Sequence, residues 1–118
     1  MNGLLILVHG SPTPGANDAM FAVVDELRER AAYDAVAVGF MECNEPSIPE
    51  AIDTLAAQGA TEIVAVPYFL HTGTHVCEDL PAALEEASAR YPQIHFRLGD
   101  YLGLSPVLTT ILEERALS

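Results

Sequence analysis

Leu4-Leu5-Ile6-Leu7-Val8, followed at once by His9-Gly10-Ser11, is the stretch whose reading decides the fold. Five apolar side chains in a row describe a buried strand, and the glycine behind the histidine ends it. A second stretch of the same kind, Pro67-Tyr68-Phe69-Leu70-His71-Thr72-Gly73-Thr74-His75, also stops on histidines and a glycine. If these two strands lie side by side and parallel, His9 and His75 reach the same edge of one sheet, where a metal ion can be held between them.

Outward from these two stretches, short apolar runs alternate with helical patterns, the signature of β and α units around a parallel sheet. Four strands are expected, over 3–8, 34–41, 62–70 and 94–99. Asn17 or Asp18 caps a first helix with a buried stripe of Phe21, Val24, Leu27 and Ala31. Ser47-Ile48-Pro49-Glu50 has the spacing of a capping box, and the helix it starts buries Ile48, Ile52 and Leu55 and stops at Gly59. A third helix begins near Asp79, with Pro81 in its first turn, and ends before Pro92. Ser105-Pro106 opens a last helix that is expected to bury Leu108, Ile111 and Leu112 and to end near Arg115. Right-handed crossovers and short connections favour a doubly wound sheet in the order 2-1-3-4. In that order the topological switch point falls between strands 1 and 3, so the default ligand crevice coincides with the histidines.

The 118 residues suffice for one core and leave no room for a second domain. No basic segment precedes the first apolar run, which argues against a signal peptide or a membrane span and makes the cytoplasm the expected compartment. Cys43 and Cys77 form no CxxC and are expected to be reduced. Seventeen acidic residues against five arginines, with no lysine, give a formal charge of -12. That balance excludes nucleic acid and anionic membrane as partners, and it concentrates divalent cations at the surface.

His9 and His75 are the first candidates for metal ligands, because imidazole suits cobalt, iron, nickel and zinc, and two imidazoles leave the site open. His71 and His75 are four residues apart, but Gly73 argues for a loop, so His71 has at most a supporting role. His95, between Ile94 and Phe96, is read as structural, and Cys77 as a weak extra ligand. Glu42 follows strand 2 and reaches the same edge, where it can ligate or accept a proton; Glu45 is less well placed. Neither a phosphate loop nor a G-x-S-x-G elbow is present, which leaves no basis for a nucleotide site or a serine hydrolase.

The series His9-Gly10-Ser11, Phe40-Met41-Glu42, Glu45-Pro46-Ser47-Ile48-Pro49-Glu50-Ala51, Pro67-Tyr68-Phe69-Leu70, Gly73-Thr74-His75 and Asp79-Leu80-Pro81 resembles the small class II chelatases. These are the sirohydrochlorin cobaltochelatases and ferrochelatases of cobalamin and sirohaem synthesis. The likeness continues through Leu102-Gly103-Leu104-Ser105-Pro106 to Glu114-Arg115. It implies a single flavodoxin-like, chelatase-like α/β domain over residues 1–118, of the short form that pairs as a homodimer. It also implies an ATP-independent chelatase, a lyase, with the metal on His9 and His75 and Glu42 as their acidic partner. Gly10, Ser11, Phe69, Leu70, Gly73 and Thr74 then line the tetrapyrrole. No tightly bound cofactor is implied, Co2+, Fe2+ or Ni2+ being the substrate. The residue after H-G-S, commonly basic in the family, is Pro12 here. The alternative reading is a diverged module that binds metal or tetrapyrrole without catalysis.

Overall fold

The computed structural model describes residues 1–71, 73, 78–103 and 105–118. The chain alternates strand and helix throughout: β1 (Asn2–Val8), α1 (Asp18–Arg30), β2 (Ala35–Phe40), α2 (Ile48–Ala57), β3 (Glu62–Pro67), α3 (Leu80–Arg90), β4 (His95–Leu98) and α4 (Pro106–Ala116). The four strands form one sheet in the order β2-β1-β3-β4, all neighbours parallel, as the connection lengths require.

Period-two alternation sends each strand's side chains to two separate cores. Leu5, Leu7, Ile63 and Ala65 face α2 and α3, where they meet Ile52, Leu55, Leu80 and Leu84. Leu4, Ile6, Val8, Val36, Val38 and Phe40 face the other way, onto Met20 and Val24 of α1. β1 is buried from Gly3 onward because helices cover both of its faces, which is why it reads as an unbroken apolar run.

Local signals set the helix starts. Ser47 accepts the Glu50 N–H through its hydroxyl, and the Glu50 carboxylate accepts the Ser47 N–H in return, completing the capping box of α2. The carboxyl group of Glu50 is held below its ordinary range by these bonds, the Ser47 backbone donor first. Gly39 lets α2 lie close on β2, since a β-carbon there would stand 2.9 Å from the Cα of Ile48. β3 stops at Pro67, short of the expected residue 70. Tyr68 N–H donates to the Leu7 carbonyl, so the donor that Pro67 lacks would point toward β4, which has already ended at Leu98.

Two expectations about helix faces are corrected. In α1 the buried residues are Met20 and Val24; Phe21 is 43% exposed and leans on the Phe40 ring, Leu27 is half-buried, and Ala31 is a left-handed cap beyond the helix end. The face turned to the sheet is the one that sets Met20 and Val24 against Val36, Val38 and Phe40, and Asn17 makes no side-chain cap. In α4 no residue is buried: Leu108 is half-covered, while Ile111, Val107 and Leu112 are exposed, the last two at 66% and 71%. No described strand or helix packs along α4. β4, with four residues of which His95 and Arg97 are exposed, presents little apolar surface. No described helix is long and apolar enough to cross a membrane.

Candidate functional site

The carboxyl ends of β1, β2 and β3 deliver three loops to one edge of the sheet. Leu7 is level with Pro67, so His9 and Phe69 leave the sheet together two residues later. On the other side the β1–β2 pairing continues past the strands, with Met41 N–H donating to the Val8 carbonyl at 2.8 Å and Glu42 N–H to the His9 carbonyl at 3.1 Å. These bonds carry the register of a rigid sheet into the loops, and they set the side chains of His9 and Glu42 face to face. His9 Nε2 lies 3.2 Å from Glu42 Oε1, with both side chains about half exposed.

Gly10 makes this approach possible. Its φ is +96°, and a β-carbon there would collide with the carbonyl oxygen of Glu42. Ser11 N–H donates to Asn44 Oδ1 at 2.7 Å, and the Ser11 hydroxyl accepts from Thr13 N–H at 3.2 Å. Asn44 was not anticipated as a site residue. An asparagine in a loop has many local uses, and only its position three residues before Ser47, opposite the turn after His9, hints at this one.

The third loop adds an apolar wall. Phe69 packs on the core and its carbonyl accepts the Leu102 N–H at 3.1 Å, whereas Leu70 is 59% exposed. A groove of 420 Å³ runs from Leu70 and Gly103 along Leu108, Ile111 and Leu112 of α4 to Arg115. On the other flank a hollow of 280 Å³ lies between Met41, Ile48 and Leu80. Gly73 has open space around it and His71 is exposed. Thr74, His75 and Cys77 lie outside the described residues, so His9 and Glu42 are the members of the expected constellation whose meeting is seen. Among the described residues no three His, Cys, Asp or Glu side chains gather as a ready metal cage. Glu45 is exposed, and His95 stands at the opposite edge of the sheet, level with Glu62.

The arrangement offers an imidazole nitrogen and a carboxylate oxygen on an open rim between apolar flanks. That combination can hold a divalent cation loosely and accept protons beside it. None of the five arginines is in the loops 9–17, 41–47 or 68–73. Arg28 and Arg30 pair with Asp25 and Glu26 on α1, and Arg90 with Asp53.

Comparison with known proteins bears on the fold and the family. The CbiX family model matches residues 3–118. The sirohydrochlorin cobaltochelatase of Methanococcus aeolicus is 40% identical over 84 residues, which cover 71% of this chain and 59% of that protein. The sirohydrochlorin cobaltochelatase of Sulfurisphaera tokodaii is 34% identical over 115 residues, covering 98% of this chain and 91% of its own length. Among solved structures, the sirohydrochlorin chelatase SirB of Bacillus subtilis subspecies spizizenii, in complex with cobalt, superposes with a TM-score of 0.91 at 27% identity, over 98% of this chain and 49% of SirB. The chain spans less than two thirds of several of these relatives, down to 37% of the Priestia megaterium protein.

Proposed function

The chain belongs to the CbiX family, and on that premise we propose that it inserts a divalent metal ion, cobalt or iron, into sirohydrochlorin or a related tetrapyrrole in cobalamin or sirohaem biosynthesis. The observation that carries this reading is the His9–Glu42 pair, 3.2 Å apart on the open edge at the switch point.

Insertion exchanges one dication for two pyrrole N–H protons, so the chain has to supply a weak metal perch and a proton acceptor. His9, together with His75, binds the ion through neutral imidazole, firmly enough to strip water and weakly enough to let it go. Glu42, already within reach of His9, takes the protons as the macrocycle nitrogens close on the metal. Gly10 and Ser11 let the backbone approach the macrocycle, Phe69 and Leu70 offer it apolar surface, and Gly73 and Thr74 complete the expected substrate-binding set. The exchange needs no phosphoryl donor, in keeping with the lack of a phosphate loop in the chain. The metal is substrate, and no further cofactor enters the reaction.

One wall leaves half of a planar macrocycle uncovered. The reading therefore includes a homodimer, supported by the exposed apolar stripe of α4 and by the length of SirB that this chain leaves unmatched. It also includes one domain over residues 1–118, working in the cytoplasm, where the exposed thiol of Cys43 stays reduced. The test is to mix the purified protein with sirohydrochlorin and Co2+, Fe2+ or Ni2+ in turn and to follow the macrocycle's absorption spectrum. Metal-dependent spectral conversion that His9→Ala abolishes is expected. A spectrum unchanged over many minutes despite stoichiometric binding would instead establish a carrier.

A further inference from the structure

We propose that Asn44 is the positioning residue of this site, locking the loop after β1 to the loop after β2 so that His9 and Glu42 face one another. Its place in a metal-handling site rests on the reading above, whereas its mechanical role rests on the geometry alone.

Three hydrogen bonds bear on how the two loops sit, and Asn44 takes part in two of them, one joining it to the opposite loop and one closing its own loop. Its side-chain Oδ1 accepts the Ser11 N–H at 2.7 Å across 33 residues of sequence, in a partly buried position. Its own N–H donates to the Glu42 carbonyl at 2.8 Å, closing a three-residue turn around Cys43. The third link is the Glu42 N–H to the His9 carbonyl, at 3.1 Å. Cys43 sits at the centre of this turn with φ at +69°, a left-handed conformation that a residue with a β-carbon keeps only when its surroundings impose it. Asn44 is what imposes it, since its backbone closes the turn and its side chain anchors the turn to the opposite loop. Gly10 is seated between the two, so close that a β-carbon on it would lie 3.0 Å from Asn44 Oδ1.

The consequence is directional. Removing the Asn44 amide frees Ser11 N–H and releases the turn, while β1, β2 and both cores remain packed, because none of their contacts passes through Asn44. Aspartate at this position retains an acceptor oxygen for Ser11 N–H, and alanine does not.

The test compares wild type with Asn44→Ala and Asn44→Asp by amide hydrogen exchange and, separately, by Co2+ titration followed in the visible spectrum, without any tetrapyrrole. Asn44→Ala is expected to lower the protection of the Ser11 and Glu42 amides about tenfold, the scale of one hydrogen bond, with strand amides unchanged. Asn44→Asp is expected to restore Ser11 protection. Co2+ affinity should fall about tenfold in Asn44→Ala and return at least to wild type in Asn44→Asp, where a second carboxylate stands near Glu42. Wild-type protection at Ser11 and Glu42 in Asn44→Ala would overturn the proposal. So would a uniform loss across the sheet, which would make Asn44 a general stability residue. If exchange responds locally while the wild type binds no Co2+, the positioning role stands and the metal-handling reading falls.

Discussion

His9 and Glu42 meet at 3.2 Å although 33 positions separate them, because the backbone pairing of β1 with β2 runs on past the strand ends. The pair is therefore set by the sheet register, carried into two loops that are tied to one another, and not by the flexibility of free surface loops. Under the proposed function His9→Ala is expected to abolish insertion, and Glu42→Gln, which retains shape but not basicity, should lower kcat by about a hundredfold or more. Steady-state kinetics with circular dichroism as the folding control checks both. Either variant turning over at the wild-type rate would remove these residues from the reaction.

Charge gives a second expectation. A protein at -12 repels a polycarboxylate macrocycle, and no arginine in the three site loops offsets this. Raising salt from about 0.1 M to about 1 M shortens the Debye length from about 10 Å to about 3 Å, so KM for sirohydrochlorin should fall as salt rises. A KM that climbs with salt would point to a cationic contact dominating recognition.

The close seating of α2 on β2 predicts a stability effect remote from the chemistry. Gly39→Ala drives a methyl against the Ile48 backbone and is expected to cost about 1–3 kcal/mol, measured by urea unfolding. Ser47→Ala, which breaks the capping box, should cost about 1 kcal/mol. Full wild-type stability in Gly39→Ala would mean that α2 shifts outward freely.

Asp53 ties α2 to α3. Its Oδ1 accepts the Tyr91 hydroxyl at 2.6 Å and the Arg90 guanidinium at 2.8 Å. These bonds, Tyr91 first, hold the Asp53 carboxyl below its ordinary range, while the same contact pushes the Tyr91 phenol and the Arg90 guanidinium up. The Asp53 contribution is thus complete above the ordinary carboxylate range near pH 4 and fades as pH falls through the lowered folded value. The Tyr91 contribution is complete below the ordinary phenol value near pH 10 and fades as pH rises through the raised one. Asp53→Ala should be modestly less stable than wild type at neutral pH and indistinguishable from it in strong acid. A gap that stays constant down to pH 2 would assign the loss to packing.

The uncovered stripe of α4 bears on assembly. Leu112→Glu should leave the fold's stability within about 0.5 kcal/mol, as a surface change does, yet convert a sedimenting dimer to monomer. Wild-type protein that sediments as a monomer at all concentrations would dismiss the dimer.

The sheet order and the capping box were legible in the chain because each has a local cause. Leu4 to Val8 form an unbroken run since both faces are covered, and Ser47 and Glu50 satisfy each other within four residues. The meeting of His9 with Glu42 was legible through topology, which brings strand ends together without needing side-chain detail. The exposure of α4 was not, because periodicity says that one face of a helix is apolar and nothing about what covers it. Asn44 escaped notice for a related reason, its role being defined by Ser11, a partner 33 residues away. His75 and Thr74, expected at the same rim, fall outside the described residues.

Gly10 has one more implication, for how such a site can change over time. Because a side chain at position 10 would strike the Glu42 backbone, that position is closed to substitution, and the turn after β1 has little freedom to vary. Variation at this rim is easier in the facing segment, where the exposed Cys43 projects from a backbone that is already anchored. Libraries built to vary this rim should accordingly diversify position 43 and leave 10 untouched.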